Sequence, residues 1–248
     1  MKRKALIIGN TRGDVGVCKD LLAYQKHLFN EKGGAWATGT DEVIVLRDPT
    51  REGVLSCIQR LKQEKLDFFM FIFTGHGGFS RMHNDTLMEL SANGEEEIYE
   101  TEILKVAPRQ LNIMDCCRVY FPEAMEKLSM ILANRQDSVM MNFSRQHARK
   151  VYDDLVMRSC IAQISLYACA IGESASGFHD KGSVFTNALL DLSNFGTNSG
   201  IYTVEEAFNH AKFTIVNNPY EDQTPTARLP KCLANQRLPW AIRANKWV

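Results

Sequence analysis

The chain has 248 residues, 45% hydrophobic and 23% charged, a length and apolar content that suit one α/β domain with a sizeable core. Its 29 Lys and Arg balance 29 Asp and Glu, which excludes a global field drawing it to nucleic acid or an anionic membrane. No apolar run approaches a membrane span, Ala5–Ile8 is too short for a secretory signal core, and seven scattered cysteines predict free thiols in a reducing, cytoplasmic setting.

In chain order, Ala5–Gly9 is a short continuous apolar run, as in a strand covered on both faces. Leu21, Leu22, Tyr24, Leu28 and Phe29 form a helical stripe over about 17–30, closed by Gly33-Gly34. Val43–Leu46 predicts a second strand, and Asp48-Pro49-Thr50 caps a helix over 51–62 with Val54, Leu55, Ile58 and Leu61 inward. Leu66–Thr74 is the most apolar run and predicts a central strand. Asn93-Gly94 between 87–90 and 97–99 signals a hairpin. Further strands are expected at 111–114 and 161–168, helices at 185–192 and 204–216, and a last strand at 238–242. Strands alternating with helices predict a mostly parallel central sheet of about six strands with helices on both faces.

The stretch 118–159 differs in character. It is polar and carries Arg135, Arg145, Arg149, Lys150 and Arg158. We read 123–132 as a short helix and the rest as a long connection of the functional or mobile kind.

Two strands end in reactive residue types, Gly75-His76-Gly77 and Asp115-Cys116-Cys117. In sheets of this type, ligands sit beyond the carboxyl ends of the strands. A thiol attacks a carbonyl usefully as thiolate, so it needs a base or a positive neighbour. The tetrahedral intermediate needs donors aimed at its oxyanion, and the amides of Gly77 and Cys117 are the candidates. Singly, a histidine or a cysteine at such a place is as often structural. Cys18, Cys57, Cys160, Cys169 and Cys232 are accordingly assigned to the inert core. Rival classes fit less well: 9–16 matches neither phosphate-loop pattern, and adjacent Cys116-Cys117 lack zinc-ligand spacing.

Phe73-Thr74-Gly75-His76-Gly77 resembles the histidine motif of caspases and metacaspases, and Asp115-Cys116-Cys117-Arg118 resembles the metacaspase cysteine motif. The likeness continues at Lys4–Asn10, at Leu166–Ala170 with Glu173-Ser174-Ala175, and at Gly182–Leu190. It departs after Arg118, where Val119-Tyr120 replaces the usual Ser-Gly. The resemblance implies a caspase-like three-layer α-β-α sandwich with a large-subunit-like part (1–117), a processing linker (118–159) and a small-subunit-like part (160–248). It implies a cysteine endopeptidase with Cys117 as nucleophile and His76 as base, acting on protein or peptide substrates. It also implies an acidic pocket for Arg or Lys built from Asp20, Thr74 and Asp115, since Gly16–Asp20 is similar to the family segment that brings a second carboxylate there. Activation by a self-made or foreign cut at one of the basic linker residues follows from the same likeness.

No cofactor or metal is expected. Calcium activation, known for some metacaspases, gains no support from Glu95-Glu96-Glu97, whose spacing is not that of a ligand loop. The alternatives are a catalytically silent caspase-fold binding module and an Asp-specific peptidase, for which Arg12 in the loop after the first strand would be the receptor. The oligomeric state is left open.

Overall fold

The computed structural model describes residues 1–39, 41–120, 144–178, 181–196 and 200–243. Chain order runs β1 (Arg3–Gly9), α1 (Val15–Phe29), β2 (Val43–Arg47), α2 (Arg51–Gln63), β3 (Phe68–Thr74), β4 (Gly77–Ser80), β5 (Asp85–Leu90), β6 (Glu96–Tyr99) and β7 (Arg109–Asp115). There follow α3 (Ser144–Arg158), β8 (Gln163–Tyr167), β9 (Gly177–Phe178), β10 (Gly182–Ser183), α4 (Val184–Leu190), β11 (Ile201–Thr203), α5 (Val204–Val216), β12 (Thr226–Arg228) and β13 (Pro239–Ile242).

The central sheet has the order β12-β8-β7-β3-β1-β2, parallel except for β12. Alternate side chains of each strand face opposite ways. Ala5 and Ile7 of β1 and Phe68, Met70 and Ile72 of β3 therefore share one core with α1, α3, α4 and α5. Leu6, Ile8, Phe69, Phe71 and Phe73 share the other with α2 and the small β4-β5-β6 sheet. Both faces are covered, which is why β3 is apolar throughout. This is the expected three-layer sandwich.

Three expectations are corrected. The sixth strand of the main sheet is β12, while β13, over the predicted last strand, pairs with β11 outside it. Residues 144–158 are helix α3 and not part of an irregular linker. Ala148, Tyr152 and Val156 give it a narrow buried stripe, outnumbered in sequence by charge. The short helix predicted at 123–132 and Arg135 lie outside the described residues. Finally, of the cysteines assigned to the core only Cys169 is buried; Cys18, Cys57, Cys160 and Cys232 are half-exposed.

Helix α3 is bound tightly to the base of the sheet. Arg3 is buried and reaches Asp153 at 2.7 Å, Glu42 at 3.3 Å and the Gly34 carbonyl at 2.7 Å. Arg149 donates to Glu42 at 2.9 and 2.5 Å, and Arg145 donates to the Phe29 carbonyl at 2.6 Å. Tyr152 donates to the Pro239 carbonyl at 3.1 Å.

Candidate active site

Register brings the site together. Gly9 of β1 pairs with Thr74 of β3, and Thr74 pairs with Asp115 of β7, so the three strands stop abreast. His76 and Cys117 each lie two residues beyond that line. The Gly75 amide donates to the Asp115 carbonyl at 3.1 Å, carrying the pairing one step past both strands. Gly75 has φ +139, and a Cβ there would come within 2.7 Å of the Asn10 carbonyl oxygen, so only glycine fits the turn that presents His76. Gly77 is equally confined: a Cβ would meet the Leu87 carbonyl oxygen at 2.5 Å and the Cys116 thiol at 2.8 Å. The backbone of Gly77 thus lies against the residue that precedes Cys117.

Beyond Cys117 the chain runs along β4. The Phe79 amide donates to the Val119 carbonyl at 2.9 Å, and Tyr120 meets Phe79 edge-on. This replaces the Ser-Gly turn expected from the family pattern. Arg118 turns inward and is buried. Its guanidinium donates to Thr86 Oγ1 (3.2 Å), the Cys169 carbonyl (3.4 Å) and Thr226 Oγ1 (3.3 Å), and lies 4.0 Å from the Tyr167 ring centroid. One side chain thereby ties the Cys117 turn to β5, β8 and β12.

The Cys117 thiol sits on the 173–175 loop and accepts from the Ala175 amide at 3.3 Å. That loop is fixed by the Arg118 amide donating to the Glu173 carbonyl (2.9 Å) and the Gly172 amide donating to the Arg118 carbonyl (2.9 Å). Burial pushes the Cys117 thiol up, and the Ala175 amide and Ser174 hydroxyl oppose that shift. His76 is held below the ordinary imidazole value by burial and by Arg12, with Glu89 and Asp14 pulling the other way. At neutral pH these directions favour a thiol at Cys117 and a neutral imidazole at His76. Cys169 lies near Cys117 and is pushed up to about 12, mainly by burial.

Asp20, Thr74 and Asp115 come together as a buried group. Thr74 Oγ1 donates to Asp20 at 3.0 Å, and the Ser183 amide donates to both Asp20 oxygens at 3.0 and 3.1 Å. Asp115 accepts from Thr186 Oγ1 at 2.6 Å and from the Thr186 amide at 3.2 Å. Burial raises the values of both carboxyls, and for Asp20 the charge of Asp115 adds to it. Ser183, Thr186 and Tyr24, whose hydroxyl lies 3.1 Å from Thr186 Oγ1, were not singled out from sequence. The Gly182–Leu190 resemblance contained two of them, and Ser183 doubles as the N-cap of α4.

Arg12 already has a carboxylate partner. Its Nη2 pairs with Glu89 Oε2 at 2.5 Å. Among the described residues no group of three or more His, Cys, Asp or Glu could hold a metal ion. Among those same residues no helix is long and apolar enough to cross a membrane.

A thiol and an imidazole past adjacent ends of a mostly parallel six-stranded sheet, with a buried acid pair beside them, define a caspase-like architecture. Residues 2–238 match the model of the caspase domain, and the chain belongs to that family of cysteine peptidases. Its fold is similar to the crystal structure of caspase-1 from Spodoptera frugiperda, at TM-score 0.55 and 12% identity over 92% of this chain and 86% of that one. No curated protein matches the sequence.

Proposed function

We propose that the chain is a metacaspase-like endopeptidase that cleaves after Arg or Lys. His76 takes the proton of Cys117 as the sulfur attacks the scissile carbonyl carbon. The amides of Gly77 and Cys117 are the donors for the oxygen as it gains charge. Collapse expels the amine, which leaves with the proton from His76, and a thioester remains. Water deprotonated by His76 then hydrolyses it.

The observation that carries the P1 preference is the buried Asp20–Thr74–Asp115 group beside the reactive strand ends, together with the pairing of Arg12 to Glu89. Two carboxyls whose ionisation is opposed by burial and by each other welcome a guanidinium or ammonium that offsets both. The same pairing disfavours the Asp-specific alternative. Activation by a linker cut fits only a narrowed segment. Arg145 and Arg149 are engaged in α3, where Lys150 and Arg158 also lie, so Lys127 and Arg135 remain as basic sites between Tyr120 and Ser144.

The test uses fluorogenic peptides ending in Arg, Lys or Asp, with and without calcium, beside a Cys117→Ala control. Cleavage after Arg or Lys that vanishes in the control is expected. Cleavage only after Asp would overturn the pocket. Silence from both intact and linker-cut protein would overturn the peptidase reading.

A further inference from the structure

We infer that Arg12 and Glu89 act as one unit, a charge pair that sets the protonation of His76 and so serves as a positioning element of the dyad. This rests on the role proposed for His76.

The pair is built into its surroundings. Glu89 is almost fully buried in β5, and its amide donates to the His76 carbonyl at 3.1 Å, which fixes it beside the histidine turn. Arg12 reaches it from the loop between β1 and α1 with a left-handed backbone, φ +41. The neighbouring Thr11 is bound through its amide and hydroxyl to Asp48, both at 2.6 Å. Asn10 donates to the Ser91 carbonyl at 2.6 Å, joining the same loop to the β5–β6 turn. That turn makes room for the guanidinium: a Cβ on Gly94 would fall 1.2 Å from Arg12 Nη2. Glycine at 94 therefore serves the position of Arg12 as well as the hairpin.

The charged groups acting on His76 are Arg12 and Asp14 from the first loop and helix start and Glu89 from β5. The Cys117 thiol stands past the next strand end. Glu89 alone would favour the imidazolium, against the effect of burial. Arg12 alone would oppose the imidazolium that forms when Cys117 gives up its proton. Paired at 2.5 Å, the two act on His76 in opposite senses, Arg12 the more strongly.

The experiment reads His76 directly by NMR pH titration of the histidine ring signals, in a Cys117→Ala background that remains uncut. His76→Gln identifies its signal among the six histidines. Arg12→Met should raise the His76 value and Glu89→Gln should lower it, each by about half a unit or more. The double variant should return toward the parent and Arg12→Lys should stay near it. Gly94→Asn, which keeps a residue tolerant of positive φ but displaces the guanidinium, should move the value as Arg12→Met does. Shifts in the same direction, or none, overturn the inference. In active protein the acid limb of kcat/KM should follow the same signs. Because the titration needs no turnover, it decides this point even if the chain cleaves no peptide.

Discussion

Asp20 and Asp115 occupy a place where burial opposes ionisation, and in the proposed pocket a substrate cation would relieve it. Both are buried, and their partners Ser183, Thr74 and Thr186 leave no basic side chain among their hydrogen-bond donors. Asp115→Asn and Asp20→Asn should each lower kcat/KM for an Arg peptide by about 10²-fold, as expected when one partner of a buried charge pair is lost. The same residues weigh on stability. The folded value of Asp20 lies above its unfolded one, so above the unfolded value the folded chain holds a proton that the unfolded chain has released. Stability is then lost as pH rises toward the folded value. The Tm of Asp20→Asn relative to the parent should climb between pH 5 and pH 8; a flat difference would contradict the assignment. Sequence located this group through motif positions, since strand ends and glycines are local signals. It missed the Arg12–Glu89 pair and the inward turn of Arg118, because those depend on which side chains from distant segments meet.

At the scale of elements, the long apolar strands and the Asn93-Gly94 hairpin were legible from periodicity and turn chemistry. Helix α3 was not, since its buried positions at 148, 152 and 156 are spread among Arg, Lys and Asp. Strand β12 has three residues, too few for alternation to register, and its place is set by pairing with β8. The charge that hid α3 turns out to anchor it. Glu42 accepts from Arg3, Arg149 and the Ala37 amide. Glu42→Ala would leave the buried Arg3 guanidinium with Asp153 as its remaining carboxylate and should destabilise the fold by about 1–3 kcal/mol, read as a drop in urea midpoint. A loss below about 1 kcal/mol would mean that Asp153, the carbonyl contacts and the apolar stripe hold α3 without Glu42.

Over the whole molecule, acid should loosen the contact between α1 and β13. His27 of α1 stacks on Trp240 of β13 at 4.4 Å, and burial holds its value down to about 4. The unfolded chain takes up that proton near pH 6.5, the folded one only near 4, so the stabilisation present above 6.5 is lost as pH falls through this window. The expected loss is about 3 kcal/mol. It should be absent from His27→Phe, whose stability relative to the parent is measured by urea unfolding at pH 7 and pH 4.5. Equal slopes in both proteins would remove His27 as the cause.

The anchoring of α3 has a consequence for the continuity of the polypeptide. Its ion pairs with Arg3 and Glu42 and its donation to the Phe29 carbonyl join residues from both sides of segment 121–143. β7 and β8 add a further seam, five residue pairs long, across the same gap. Two separately encoded halves, 1–120 and 121–248, should therefore recognise one another when co-expressed and purify as a one-to-one complex. Such a split molecule would turn the family's scaffold into a complementation pair, its assembly reported by co-purification of the two halves.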